Sequence, residues 1–299
     1  MKTILYATDC TDNDASSLKY AYRFSCIMNA NLHVLHVYNL PPILFSTIKP
    51  SELLKRRMRE ERVELLEKYC KKHLKNEFHK EPITTHAVEN DSVSETILRL
   101  SKHIAPDLVI IGMKDRHSMR GYFSGNIANT LLDVIEMPLL IVPNSLVYDT
   151  ISIIIYATDF EEDDILYLKK IIEIAKPFSA LIEVIHVYES DEYPAKKYMQ
   201  QFKHALQQEV SYPEIVFKTI ASTSVKSGIL SVLNYEDADM LVMLERKYEW
   251  SFSNIFQKDL VKDIEISLKI PLLAFNKQRK KLQNANAKCK NENGILSFG

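Results

Sequence analysis

Ile4-Leu5-Tyr6-Ala7-Thr8-Asp9 returns 150 residues later as Ile154-Ile155-Tyr156-Ala157-Thr158-Asp159. At the same offset, Leu32-His33-Val34-Leu35-His36-Val37-Tyr38 returns as Ile182-Glu183-Val184-Ile185-His186-Val187-Tyr188. Further on, Ser92-Val93 and Ile97-Leu98 match Ser224-Val225 and Ile229-Leu230 at an offset of 132, as does Asp107-Leu108-Val109-Ile110 with Asp239-Met240-Leu241-Val242. Pro138-Leu139-Leu140 matches Pro271-Leu272-Leu273 at 133. Agreement at so many ordered points implies two halves of one design, and a period of this length is a repeated domain rather than a solenoid unit. The second half is about 18 residues shorter, somewhere between 39 and 91. The boundary falls in 143–148, giving domains at 1–146 and 147–276 and a polar tail at 277–299.

Within a half, short apolar runs alternate with helical periodicity. Thr3–Thr8, Leu32–Tyr38, Ile83–Val88, Leu108–Ile111 and Leu139–Val142 read as strands, most of them continuously apolar, as strands buried on both faces must be. Amphipathic stretches at about 13–29, 51–78, 92–104 and 125–136 read as helices between them. The second half repeats the strands near 152–157, 181–187, 214–220, 239–243 and 271–275. Strand–helix alternation of this kind predicts an α/β fold. Each half is expected to be a Rossmann-like, five-stranded parallel sheet with right-handed crossovers and helices on both faces.

Composition narrows the function classes. The 299 residues are 46% hydrophobic and 26% charged, ordinary for a folded globular chain. The formal net charge of -1 offers no general basic surface for nucleic acid. No apolar run approaches the ~20 residues of a membrane span, and no secretory signal is visible, so a cytoplasmic location is expected. Cys10, Cys26, Cys70 and Cys289 lie far apart with no CxxC, against a zinc site or disulfide framework. The tail from 276 to 299 carries net +5, leaving -6 on the rest of the chain; a solvated tail is the plain reading, and an acidic partner the alternative. Only 6 residues are glycine, and three of these lie within 112–125, so that cluster is expected to have a backbone reason.

In an open α/β sheet, ligands bind outside the carboxyl ends of the strands. Three first-half segments reach that edge: Thr8-Asp9-Cys10-Thr11, Val37-Tyr38, and the long loop Gly112–Asn126. The Gly125-Asn126 junction is expected to open a helix and to offer free N–H groups suited to phosphate, with Lys114, Arg116, His117 and Arg120 adding positive charge. The plain alternative is a surface loop with solvated charges. His36 and His186, in matched strands, read as packed residues rather than metal ligands. Cys10 reads as a small loop residue rather than a reactive thiolate, and Trp250, with Tyr248 and Phe252, as packing between the halves. No Walker loop, nucleophile elbow, zinc-protease helix or dinucleotide fingerprint occurs.

The order A-T-D after the first strand, H-V-Y after the second, A-P-D-L-V-I-I-G, a glycine thirteen residues on, then M-P-L-L-I-V-P resembles the universal stress protein family, as a tandem pair reaching about Phe275. The ATP-binding subgroup carries G-x2-G-x9-G-(S/T) after strand four. Gly112 and Gly125 match its first and last glycines. The resemblance puts Asp9 near the nucleotide sugar, Val37 against adenine and Lys114 where some members place a basic side chain. Two positions depart: Asp115 stands at the middle glycine and Asn126 at the closing Ser/Thr, where its amide can still donate. The second half, with Leu244, Glu245, Arg246, Lys247, Gln257 and Lys258, keeps none of the motif. Asp159 and the acids after it suit a helix N-terminus and would repel phosphate.

The resemblance therefore implies a cytosolic stress-response regulatory or binding protein. It would hold ATP or a related adenine nucleotide, with Mg as companion ion, in the N-terminal half alone through Asp9, Val37, Gly112, Lys114, Gly125 and Asn126. A slow ATPase or nucleotide-dependent transferase in the same cleft is the enzyme alternative, and a nucleotide-free interaction scaffold the third; an enzyme is not expected. The partners implied are the other half, as an intramolecular pseudo-dimer through the fifth strands, then a second copy or an unidentified protein, with no membrane and no nucleic acid.

Overall fold

The computed structural model describes residues 1–39, 52–77, 82–113, 121–144, 146, 150–160, 163–190, 192–245 and 269–276, without the side chains at 13, 76, 121–126 and 245. In chain order the strands are β1 (Thr3–Thr8), β2 (Asn31–Tyr38), β3 (Ile83–Glu89), β4 (Leu108–Met113), β5 (Leu139–Pro143), β6 (Ile153–Ala157), β7 (Leu181–Tyr188), β8 (Ile215–Ala221), β9 (Met240–Glu245) and β10 (Leu272–Asn276). The α-helices are α1 (Ala15–Ile27), α2 (Glu52–Leu74), α3 (Val93–Ile104), α4 (Gly121–Val134), α5 (Asp164–Ala175), α6 (Glu192–Glu209) and α7 (Val225–Tyr235).

The strands form one sheet in the order β3-β2-β1-β4-β5-β10-β9-β6-β7-β8. Every neighbouring pair is parallel except β5 and β10, which run antiparallel with Leu272 opposite Ile141, Leu273 opposite Leu140 and Ala274 opposite Leu139. Strand side chains alternate between two apolar layers. Ile4, Tyr6, Leu108, Ile110, Leu140 and Val142 face α1, α2, α5 and α6, in a layer that continues through Tyr156 and Val184 to Phe275. Leu5, Val109, Ile111, Leu139 and Ile141 face α3, α4 and α7. At the antiparallel join, Leu139–Val142 and Leu272–Phe275 are each at most 2% exposed. Burying a leucine of this kind is worth about 2 kcal/mol relative to leaving it in water. Phe24 stacks on Phe178 at 5.7 Å between ring centres, and the Asn276 amide donates to the Ile135 carbonyl, so both layers and the strand end cross from one half to the other.

The repeat reaches individual hydrogen bonds. Asp107 accepts from the amides of Lys2 (2.6 Å) and Thr3 (3.0 Å), and Asp239 accepts from Ser152 (2.7 Å) and Ile153 (2.9 Å), so each carboxylate ties the start of one strand to its neighbour. These backbone amides hold the Asp107 carboxyl below its usual range although burial works the other way. Ser92 caps α3 by accepting from Glu95, and Ser224 caps α7 by accepting from Ser227, both at 3.2 Å. The turns a glycine would ordinarily make are made by other residues: Cys10, Asn29 and Ala105 have φ of 59°, 50° and 47°, and their counterparts Phe160, Ser179 and Asp237 have 67°, 54° and 46°.

One boundary differs in a way that matters. The reading of 125–136 places Gly125 at a helix start, whereas α4 begins at Gly121. Gly125 and Asn126 therefore lie beyond the first four residues of the helix, where amides are committed to carbonyls one turn back, and the open N–H groups belong to residues 121–124. Lys114, Asp115, Arg116, His117 and Arg120 lie outside the described residues, as do Trp250, Tyr248 and Phe252, the tail, and the second-half loop from Arg246 to Lys258.

Candidate functional site

A cleft of about 560 Å³ opens at the carboxyl ends of β1, β2 and β4 in the first half. Its apolar wall is Ala7, Leu35, Val37, Ile97, Ile111 and Ile127, contributed by three strands and by α3 and α4. Polar groups come from Thr8, Asp9, Asp14, Asn39, Asn90 and Asp91 at the strand ends and the start of α1. Parallel strands bring these ends together because each crossover returns the chain to the same sheet edge. The volume suits a small organic molecule.

Of the residues singled out in the sequence, Asp9, Val37 and Gly112 line this cleft together. Gly125 and Asn126 are on α4, directly before Ile127, and Lys114 lies outside the described residues. Asp9 is partly engaged by its own turn, its Oδ1 accepting from the Thr11 amide (3.0 Å) and hydroxyl (2.7 Å). Thr8 supports the same turn by accepting from the Cys10 amide at 3.0 Å. Burial pushes the Cys10 thiol far up, away from thiolate chemistry, and holds the Cys70 thiol up at about 12. His36 and His186 each sit against the carbonyl of Thr8 or Thr158 through Nδ1, at 3.2 and 2.9 Å, and burial lowers both imidazoles despite those bonds.

Gly112 has a reason that the motif does not state. A Cβ at this position would lie 2.2 Å from Asp14 Oδ1, 2.8 Å from Ser17 Oγ and 3.1 Å from Asn144 Oδ1. The backbone of β4 thus runs directly under three oxygen atoms of α1 and of the residue that follows β5. Asp14 is only 3% exposed; it accepts from the Tyr6 hydroxyl at 2.8 Å and stands at the N-cap of α1, where the helix dipole favours a carboxylate. Ser17 donates to Asn144 Oδ1 at 3.1 Å. Asp14, Asn39, Asn90 and Asp91 were missed by motif reading. Asn39 and Asn90 directly follow β2 and β3, so the strand-end rule would have found them, and Asp14 recurs as Asp164 at the offset of 150.

In the second half the matching positions are covered. Val187 is 5% exposed and Ala157 4%, where Val37 and Ala7 are only half-buried. Leu244, 5% exposed, stands where Gly112 does. α7 presses onto β7 at Gly228, where a Cβ would come within 2.6 Å of Val187; Thr96 holds the matching place in α3. Phe160 packs over His186 at 4.2 Å and against Phe202 at 5.8 Å.

Among the described residues, no group of three His, Cys, Asp or Glu is placed to hold a metal ion, so the protein supplies no magnesium cage of its own there. No helix among them is long and apolar enough to cross a membrane.

Fold and cleft together define an α/β protein with an open cleft at the carboxyl edge of a parallel sheet, the edge at which ligands bind in such sheets. Residues 1–143 match the universal stress protein family, so the first half carries that family's domain. The whole chain is similar in fold to a universal stress protein from Archaeoglobus fulgidus, at 16% identity over 93% of this chain and 97% of that one, with a TM-score of 0.64. It is also similar to a functionally unknown protein from Pseudomonas aeruginosa, at 16% identity over 92% of both chains, with a TM-score of 0.62. No curated protein matches the sequence.

Proposed function

We propose that the chain is a tandem universal stress-type protein that binds one adenine nucleoside or nucleotide, in the first-half cleft, as a regulatory rather than a catalytic module. The observation that carries this reading is the cleft beside Asp9, Val37 and Gly112, set against the covered positions of the second half. An apolar slot between Val37, Ile97 and Ile111 suits a flat base, and strand-end Asn and Asp side chains suit its polar edge and sugar. The described part of the site fits the nucleoside end of such a ligand.

Calorimetric titration of nucleotide-stripped protein with adenosine, AMP and ATP tests the reading. One site per chain is expected, lost in Gly112→Leu, whose side chain collides with Asp14. Two equivalent sites, or binding unaffected by that change, would overturn it. ATP hydrolysis that scales with added protein and disappears in Gly112→Leu would make the protein an enzyme instead.

The second half then serves as a covalently attached partner, and the join of β5 and β10 supports a pseudo-dimer. A tandem chain holds that mate at high effective concentration. Expressed alone, residues 1–146 expose the edge of β5 and should self-associate; a monomeric, equally stable fragment would remove the pseudo-dimer from the proposal.

A further inference from the structure

We infer that the second half carries a site of its own, distinct from the first-half cleft: a cavity between α5, α6 and β8 that takes a single aromatic ring bearing a hydroxyl group. The cavity has a volume of about 250 Å³ and lies at the end of α6 and the start of β8. Its apolar wall is Ile172 of α5, Leu206 of α6, Val210, and Ile215 and Phe217 of β8, with Lys203 and Gln207 as polar members. The lining residues belong to 163–190 and 192–245, two runs described without a break.

The repeat shows what fills the matching place in the first half. At the offset of 150, Ile172 matches Tyr22; at 132, Leu206, Ile215 and Phe217 match Leu74, Ile83 and Thr85. The strand ladders agree, since Ile215 pairs with Ile182 as Ile83 pairs with Leu32. Tyr22 is 2% exposed, and its hydroxyl donates to the Glu77 carbonyl just beyond α2. A phenol ring of the chain itself thus reaches from α1 to the segment that follows α2. Ile172 lies in the same apolar layer and is equally buried, but it has neither ring nor hydroxyl, and here the second half has its cavity.

Size and chemistry both suit a phenol. Cavities of about 150 Å³ accept benzene, whereas drug-sized ligands need upwards of about 300 Å³. The volume here therefore holds one substituted ring. Phe217 offers that ring an aromatic partner. Tyr212 also lines the cavity, and its own hydroxyl is spent on the Ala180 carbonyl at 2.6 Å. The acceptor for a ligand hydroxyl is the end of α6. Glu209, its last residue, matches Glu77 at the offset of 132, and the last carbonyls of a helix have no partner within it. A hydroxyl donating there repeats the bond that Tyr22 makes.

The test titrates the full chain by calorimetry with 4-methylphenol, the tyrosine side chain as a free molecule. One site per chain is expected. Ile172→Tyr, which restores the first-half ring, should abolish that binding and leave the response to adenosine as in wild type. Toluene, of nearly the same shape without the hydroxyl, should bind about tenfold more weakly, the scale of one net hydrogen bond. No binding of 4-methylphenol, binding unchanged in Ile172→Tyr, or displacement of 4-methylphenol by adenosine would each overturn the site. Toluene binding as tightly as 4-methylphenol would overturn the hydroxyl contact. Should the variant fold poorly, magnetisation transfer from the bound ring to the Ile172 and Ile215 methyl groups of wild type decides the matter; binding without that transfer would place the ring elsewhere and overturn the site.

Discussion

The two halves share strand order, caps, left-handed turn positions and the Asp braces at Asp107 and Asp239, yet their strand-end regions differ. In the first half, Gly112 near the end of β4 lines an open cleft. In the second, Leu244, Val187 and the close approach of α7 through Gly228 fill the same place with buried side chains. The comparison teaches that the same scaffold accommodates either a cleft or packed side chains at this edge. Leucine at 244 where the first half has Gly112, and glycine at 228 where it has Thr96, with room for no Cβ against Val187, go with core where the first half has a cleft.

The largest effect that can break the comparison is at the filled position. Leu244→Ala should cost about 2–5 kcal/mol in denaturant unfolding, the usual range for emptying a buried leucine site. It should not create adenosine binding, since Val187 and α7 still cover the wall. Gly112→Leu in the first half should cost about 1–3 kcal/mol as overpacking and abolish binding. A second-half site appearing in Leu244→Ala would show that one side chain alone separates the halves.

The same cross-strand location in the two sheets also carries different chemistry. In the second half, Lys218 donates to Glu183 at 2.9 Å and to Glu236 at 2.7 Å, and Glu183 is nearly buried. In the first half the matched residues are His33 and His86, with Nδ1 and Nε2 2.8 Å apart. Burial alone lowers the Lys218 ammonium, and the bonds to Glu236 and Glu183 more than offset it, leaving it raised. Lys218→Met should cost about 2 kcal/mol. That is less than for a fully buried pair, because the lysine side chain keeps 35% exposure.

A smaller effect is expected at the helix ends. Ala105 holds φ of 47° after α3, where its counterpart Asp237 tolerates the left-handed region better. Ala105→Gly should raise stability by about 1 kcal/mol, and Asp237→Gly by less, measured by thermal melts of the two variants side by side.

The histidine pair gives a pH signature. Burial lowers both imidazoles, and the neighbouring His33 and His103 lower His86 further. The folded chain therefore binds fewer protons than the unfolded one near pH 6. This contribution is present above about pH 6.5, the ordinary histidine value, and is lost as pH falls below it. The melting temperature should drop between pH 7 and pH 5. His33→Glu combined with His86→Lys, which transplants the second-half pair, should flatten that part of the drop; an unchanged slope would place the sensitivity elsewhere.

Much of the fold was legible because parallel strands buried on both faces must be largely apolar, and β4, β5 and the centre of β1 from Ile4 to Ala7 are continuously so. Asp9, Val37 and Gly112 were found because strand ends are visible in a sequence. The start of α4 was not, since glycines at 121 and 125 look alike to a capping argument, and hydrogen bonding rather than composition decides which opens the helix. Asp14 was passed over because a lone acid before a helix reads as a cap, and its burial against Gly112 depends on where β4 runs.

The sequence by itself determined the repeat, the α/β alternation and the edge of the sheet at which a cleft would lie, because periodicity and apolar runs are local properties of the chain. Only the tertiary structure decided that β5 and β10 meet antiparallel in one sheet, that the first cleft is open and the second filled, and that Asp14, Ser17 and Asn144 converge on Gly112. Those facts depend on distances between residues as much as 135 positions apart, which are set when whole layers pack.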